Sequence, residues 1–168
     1  MDHYVDIVNE KDEVISKELK SKKLEFNFIS RLVVVLIRDS GGKFIICKRA
    51  AYKKFGAGKY DCSACGNVRS GENYQQAAHR ELQEELNIQC PLTMLDKLYL
   101  EVENNAKFFI GIFFGKSDEK PQLNHELDSF KKLTVKKIEK EIRQTPENFC
   151  LGFINDFNKI KEKLKSIS

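Results

Sequence analysis

Six apolar residues in a row, Leu32–Ile37 (LVVVLI), constrain this chain more than any other segment. Valine and isoleucine are stiff at χ1 and favour extended backbone, and the run has the length of a strand. No apolar run in the chain approaches the roughly 20 residues a helix needs to cross a bilayer. Ser40–Gly42 (SGG) reads as a turn and Lys43–Arg49 (KFIICKR) as a second strand, so Arg31–Arg49 is expected to form a β-hairpin.

Further elements follow from the same signals. Tyr4–Val8 (YVDIV) and Glu13–Leu19 (EVISKEL) flank a turn at Asn9–Asp12 and are expected to pair as an N-terminal hairpin within residues 1–24. Tyr52–Asp61 is a loop bearing glycines and aromatics. A helix is expected from Asn73, a good N-cap with Gln76 as its capping-box partner; Ala78, Leu82 and Leu86 form its apolar stripe and Pro91 stops it. LDKLYLEVE and KFFIGIFFGK are strand candidates. After a polar loop at Lys116–Ser129, FKKLTV is a last strand, and helices cover VKKIEKEIRQ and about residues 147–166. Strands with a central and a terminal helix suggest an α/β sandwich around a mixed sheet, formed by one domain over residues 1–168.

Composition narrows the class. A chain of 168 residues, 41% hydrophobic and 32% charged, can bury a core without staples. The N-terminal MDHYVDIVNEKDE is acidic and lacks the layout of a signal peptide, so a cytoplasmic protein is expected, with no membrane partner. The net charge of +4 comes with lysines interleaved by glutamate, which reads as solvated helix faces rather than a nucleic-acid surface. The five cysteines are odd in number and scattered, which favours reduced thiols. Cys62 and Cys65 form a C-x-x-C without a second pair, which speaks against structural zinc and against thioredoxin-like redox chemistry.

Within the central helix, Glu81, Glu84 and Glu85 share one sector: with Glu81 at zero, the others fall at about 300 and about 40 degrees. Like charges so placed destabilise a helix by a few tenths of a kcal/mol per pair unless something cationic sits between them. A plain solvated face would tolerate that. The loop ahead of the helix argues for more: Gly66 and Gly71 bracket a tight segment at the helix N-terminus, and Arg80 can hold a carboxylate through two hydrogen bonds.

Gly66, five residues, Glu72, seven residues, Arg80-Glu81-Leu82, one residue, Glu84-Glu85, one residue and Asn87-Ile88 together resemble the Nudix box, G-x5-E-x7-R-E-U-x-E-E-x-G-U with U aliphatic. Only the last glycine departs, replaced by Asn87, the next-best residue for left-handed backbone. The resemblance implies an α/β/α sandwich and Mg²⁺-dependent hydrolysis of a diphosphate bond in a nucleoside diphosphate linked to another group, with Mn²⁺ an alternative cation. It implies metal ligands at Glu81, Glu84 and Glu85 with a carbonyl at Cys65 or Gly66, and Glu72 and Arg80 as a supporting pair. Glu103 and Glu126 are candidates for a further acid or base.

DIVNEKDEVI, CKRA and CSACGNVRSGE are similar to the isopentenyl-diphosphate isomerase branch of this superfamily. That branch pairs its cysteine with a following His-Pro, here Asn67-Val68, and with an E-N-E segment, here Glu103-Asn104-Asn105. KSKKLEFNFISRL also lacks the branch's metal-binding histidines, so hydrolysis is the leading expectation and isomerisation the alternative. A Nudix fold used only for binding is a third reading, disfavoured by the intact carboxylates. Lys48, Arg49 and Arg69 are candidate phosphate contacts of a small-molecule substrate. Tyr52, Phe55 and Tyr60 read as core or loop packing before base stacking.

Overall fold

The computed structural model describes residues 2–102 and 106–167. Tyr4–Val8 (β1) and Val14–Leu19 (β2) form the expected N-terminal hairpin, its turn carrying Asp12 at φ 64°. A one-turn helix, Lys23–Phe26 (α1), leads into Ile29–Arg38 (β3). Beyond it lie Phe44–Arg49 (β4), Tyr60–Asp61 (β5), Ala64–Asn67 (β6) and Tyr74–Leu86 (α2). Leu92–Val102 (β7), Ala106–Lys116 (β8), Leu127–Leu133 (β9), Val135–Gln144 (α3) and Leu151–Ser166 (α4) complete the chain.

β3 is the hub of a mixed sheet. It runs parallel to β8 from Ile29↔Lys107 to Arg38↔Lys116 and antiparallel to β6 from Leu32↔Asn67 to Val35↔Ala64. β7 pairs with β8, and β4 with β9 and β5, all antiparallel. The expected hairpin Arg31–Arg49 is corrected here: β3 and β4 meet only at Arg38↔Phe44 and then splay, because each finds longer partners elsewhere.

Strand alternation divides the sheet into two apolar faces. Val33, Val35 and Ile37 pack with Ala77, Ala78, Leu82 and Leu86 of α2. Val34 and Leu36 face the other way, onto Ile138 of α3 and Phe153, Phe157, Ile160 and Leu164 of α4. The result is the expected α/β/α sandwich around a mixed sheet. The C-terminal helix begins later than about residue 147: Pro146–Asn148 makes one 3₁₀ turn, and α4 starts after Cys150. Among the described residues no helix is long and apolar enough to cross a membrane.

Candidate active site

The acidic helix is placed by its ends. Asn73 accepts from the Gln76 backbone N–H at 2.9 Å, while its own N–H donates to Gln76 Oε1 at 2.9 Å, closing the capping box. At the far end Asn87 takes φ 54°, the left-handed conformation a terminal glycine usually supplies. Asn87 adds what glycine could not, a hydrogen bond from Nδ2 to Gln122 Oε1 at 3.0 Å. That contact ties the loop before β9 to α2, as do Gln122 N–H to the Leu86 carbonyl and Asn124 N–H to the Glu85 carbonyl.

Arg80 organises the carboxylates. Its Nε and Nη2 bind the two oxygens of Glu72 at 2.7 and 2.8 Å, Nη1 binds Glu81 at 2.6 Å, and Nη2 also donates to the Asn67 carbonyl at 2.9 Å. Glu72 in turn accepts the Arg69 backbone N–H at 2.9 Å, which fixes the loop between β6 and α2. Burial alone would raise the Glu72 pKa, but the hydrogen bonds and charges of Arg80 and Arg69 together outweigh it and hold Glu72 below the usual carboxylate range.

The other three carboxylates sit in graded environments. Glu85 is 6% exposed and accepts the Cys65 backbone N–H at 3.1 Å. Burial, reinforced by the charge of Glu81, pushes its pKa up to about 8. Glu81 is also raised, burial outweighing its ion pair with Arg80. Glu84 is the exposed member, gripped by Arg69 Nη2 at 3.1 and 3.2 Å. Gly66 makes room for this group: a Cβ there would stand 2.1 Å from Glu81 Oε1.

A hard divalent cation suits this donor set. The side chains offer only oxygen, burial raises the pKa of two of them, and Gly66 has no side chain in the way. Glu81, Glu84 and Glu85 lie on one sector of α2, and Gly66 on β6 faces the Glu81 carboxylate.

The remaining candidates divide. Glu126 lies beside the site: its charge contributes to the raised pKa of Glu85, and it is ion-paired with Lys53. That pairing outweighs burial and keeps Glu126 below the usual carboxylate range. Glu103 lies outside the described residues, as do Asn104 and Asn105. Arg69 is engaged with Glu84, and Arg49 with Asp61 at 3.3 Å and the Phe55 carbonyl at 3.1 Å. Lys48 lies on β4 opposite Tyr60 and Ser129. Tyr60 is packing, with Lys131 Nζ 3.5 Å from its ring centroid and Phe149 beside it. Tyr52 stacks on His125 yet is 65% exposed and Phe55 is 51% exposed, which corrects a core reading for both and leaves loop packing. Two contributors went unread in the sequence: the Cys65 backbone N–H, which carries no side-chain signal, and Lys53, whose partner stands far along the chain.

The layered fold and its carboxylate-bearing helix define the class, an enzyme of the Nudix pyrophosphohydrolase type. The chain belongs to the NUDIX domain family, whose family profile matches residues 29–151. A Nudix hydrolase of Deinococcus radiodurans is 31% identical over 126 residues, 73% of each chain. Isopentenyl-diphosphate Delta-isomerase 2 of Photorhabdus laumondii is 28% identical over 158 residues, 91% of this chain and 89% of its own. Among solved structures, the crystal structure of DR0079 from Deinococcus radiodurans superposes with a TM-score of 0.73 at 27% identity, covering 84% of this chain and 90% of the other. Divalent metals are in general use in the family.

Proposed function

We propose that this protein hydrolyses a diphosphate bond, with Mg²⁺, in a small-molecule substrate: a nucleoside diphosphate linked to another group, or a related organic diphosphate. The observation that carries this reading is the Glu81, Glu84 and Glu85 cluster against a Cβ-free Gly66, with Arg80 locking Glu72 and Glu81. Glu81, Glu84, Glu85 and the Gly66 carbonyl would hold the cation. When bound, Mg²⁺ neutralises phosphate charge and acidifies water for attack at phosphorus.

The chain's own groups then have separable tasks. Arg80 positions Glu81 and, through Glu72, the loop that carries Arg69. Arg69 can exchange its exposed pair with Glu84 for a phosphate oxygen, an exchange that costs little because such surface pairs are weak. Glu126, ionised and at the edge of the site, is the candidate to accept the proton of the attacking water, and Glu103 is the second candidate. Lys48 and Arg49 are the other candidate phosphate contacts, Arg49 only after release from Asp61.

Isomerisation of isopentenyl diphosphate is the second reading, favoured by the similarity to the Photorhabdus isomerase over 91% of the chain. Asn67, in place of a histidine beside Cys65-Gly66, weighs against it. A metal-supplemented panel of diphosphates, read for phosphomonoester products (as phosphate after added phosphatase) and for dimethylallyl diphosphate, separates the two. Diphosphate cleavage that needs Mg²⁺ is the expected outcome. Isomer formation without hydrolysis would transfer the proposal to the second reading.

A further inference from the structure

Where the strands meet the start of α4, two thiols and a carboxylate converge, with a third thiol nearby. The ligand-capable atoms of Asp61, Cys62 and Cys65 all lie within 4.8 Å of one another. Cys150 approaches from the far end of the chain: a Cβ built on Gly56 would meet its Sγ at 2.5 Å and Arg49 Cδ at 3.1 Å, and its backbone N–H donates to the Tyr60 carbonyl at 2.9 Å. Cys62 and Cys65 belong to the apolar cluster beneath α3 and α4, whereas α2, which carries Glu81, Glu84 and Glu85, packs on the other cluster.

We propose that Asp61, Cys62, Cys65 and Cys150 form a second metal site, for one thiophilic divalent ion of the zinc type, that clamps the start of α4 onto the β5–β6 turn. Thiolates select such an ion over Mg²⁺, and three sulfurs with one carboxylate complete the four-coordinate set of a structural site. Each thiol gives up its proton to solvent as the ion binds.

Two further features fit. Asp156 of α4 is 3% exposed, and its Oδ1 has no hydrogen-bond partner. A buried carboxylate oxygen left so is rare, and it lies on α4, the helix whose start the ion would clamp. Arg49 Nη1 stands 3.3 Å from Asp61 Oδ2 and 3.6 Å from Cys65 Sγ. One guanidinium is the cluster's countercharge now. With the ion bound, three positive charges would face four negative ones, and Arg49 would remain as a hydrogen-bond donor to the thiolate and carboxylate ligands. The C-x-x-C looked incomplete in the sequence because its other two ligands are an adjacent aspartate and a cysteine from the far end of the chain.

The test uses the full chain, stripped with chelator, kept reduced with a phosphine and titrated with Co²⁺. The expected result is one equivalent bound with strong thiolate-to-cobalt charge transfer and tetrahedral d–d bands, reversed by Zn²⁺. Cys150→Ser, which leaves the strand thiols in place, should weaken Zn²⁺ binding more than about 100-fold, since removing a direct ligand exceeds the loss from an outer-shell partner. Glu84→Gln should leave the bands intact. A wild-type protein without charge transfer overturns the site, as do bands that persist in a folded Cys62→Ser, Cys65→Ser double variant. The result does not depend on hydrolysis.

Discussion

The missing side chain of Gly66 and the carboxylate of Glu81 occupy the same space: a Cβ on residue 66 would lie 2.1 Å from Glu81 Oε1. Only one of them can be there. Gly66→Ala must therefore push Glu81 off its position between Arg80 and the β6 backbone. Activity and Mg²⁺ affinity are each expected to fall about 10- to 100-fold, the range seen when a ligand loses its support. Mg²⁺ titration and steady-state kinetics on the best substrate check this.

Arg80 makes five hydrogen bonds from a planar fork, to Glu72 twice and to Glu81, Glu84 and the Asn67 carbonyl once each. Lysine keeps the charge and loses the fork. Arg80→Lys is expected to lower kcat/KM about 10- to 100-fold while circular dichroism stays unchanged.

Glu85 sets a pH dependence. In the metal-free chain its pKa is raised from 4.5 to about 8, so the folded state holds a proton that the unfolded state gives up. Its contribution to stability is complete below pH about 4.5 and is lost as pH rises through about 8. Cation binding needs the ionised form, so Mg²⁺ affinity should climb with pH up to about 8, by as much as tenfold per unit. Calorimetry in buffers of different ionisation enthalpy should detect the released proton. Glu85→Gln should reduce that release, leaving only the share of Glu81, whose pKa is also raised.

Asn87 serves both the helix end and the loop. Asn87→Ala loses the Gln122 contact and places an ordinary residue at φ 54°, at an expected cost of about 1–2 kcal/mol. Asn87→Gly relieves the backbone but not the loop and should cost less than the alanine variant. Urea unfolding of the two variants decides the order.

Local patterns made α2 legible. Asn73 with Gln76 marked its start, Ala78, Leu82 and Leu86 its buried stripe, and Asn87 its left-handed end. Non-local pairing was not legible. Nothing in LVVVLI states that β3 prefers a parallel partner at Lys107–Lys116 over its neighbour β4, so the apparent hairpin survives only at Arg38↔Phe44. Short elements also escaped: β6 (ACGN) has no β-branched residue, and α1 is a single turn. In the site, box spacing marked the carboxylates and Arg80, because a helix turns spacing into direction. The pairing of Lys53 with Glu126 joins two loops that no periodicity connects.

The most direct test is Mg²⁺-dependent diphosphate cleavage, read as phosphomonoester product, by wild type and Glu85→Gln on the best substrate from the diphosphate panel. The variant removes the buried, Cys65-held carboxylate while preserving its size. Turnover more than about 100-fold below wild type, in a protein with wild-type circular dichroism, is the predicted result. Full turnover by Glu85→Gln, or wild-type activity indifferent to Mg²⁺, would contradict the account.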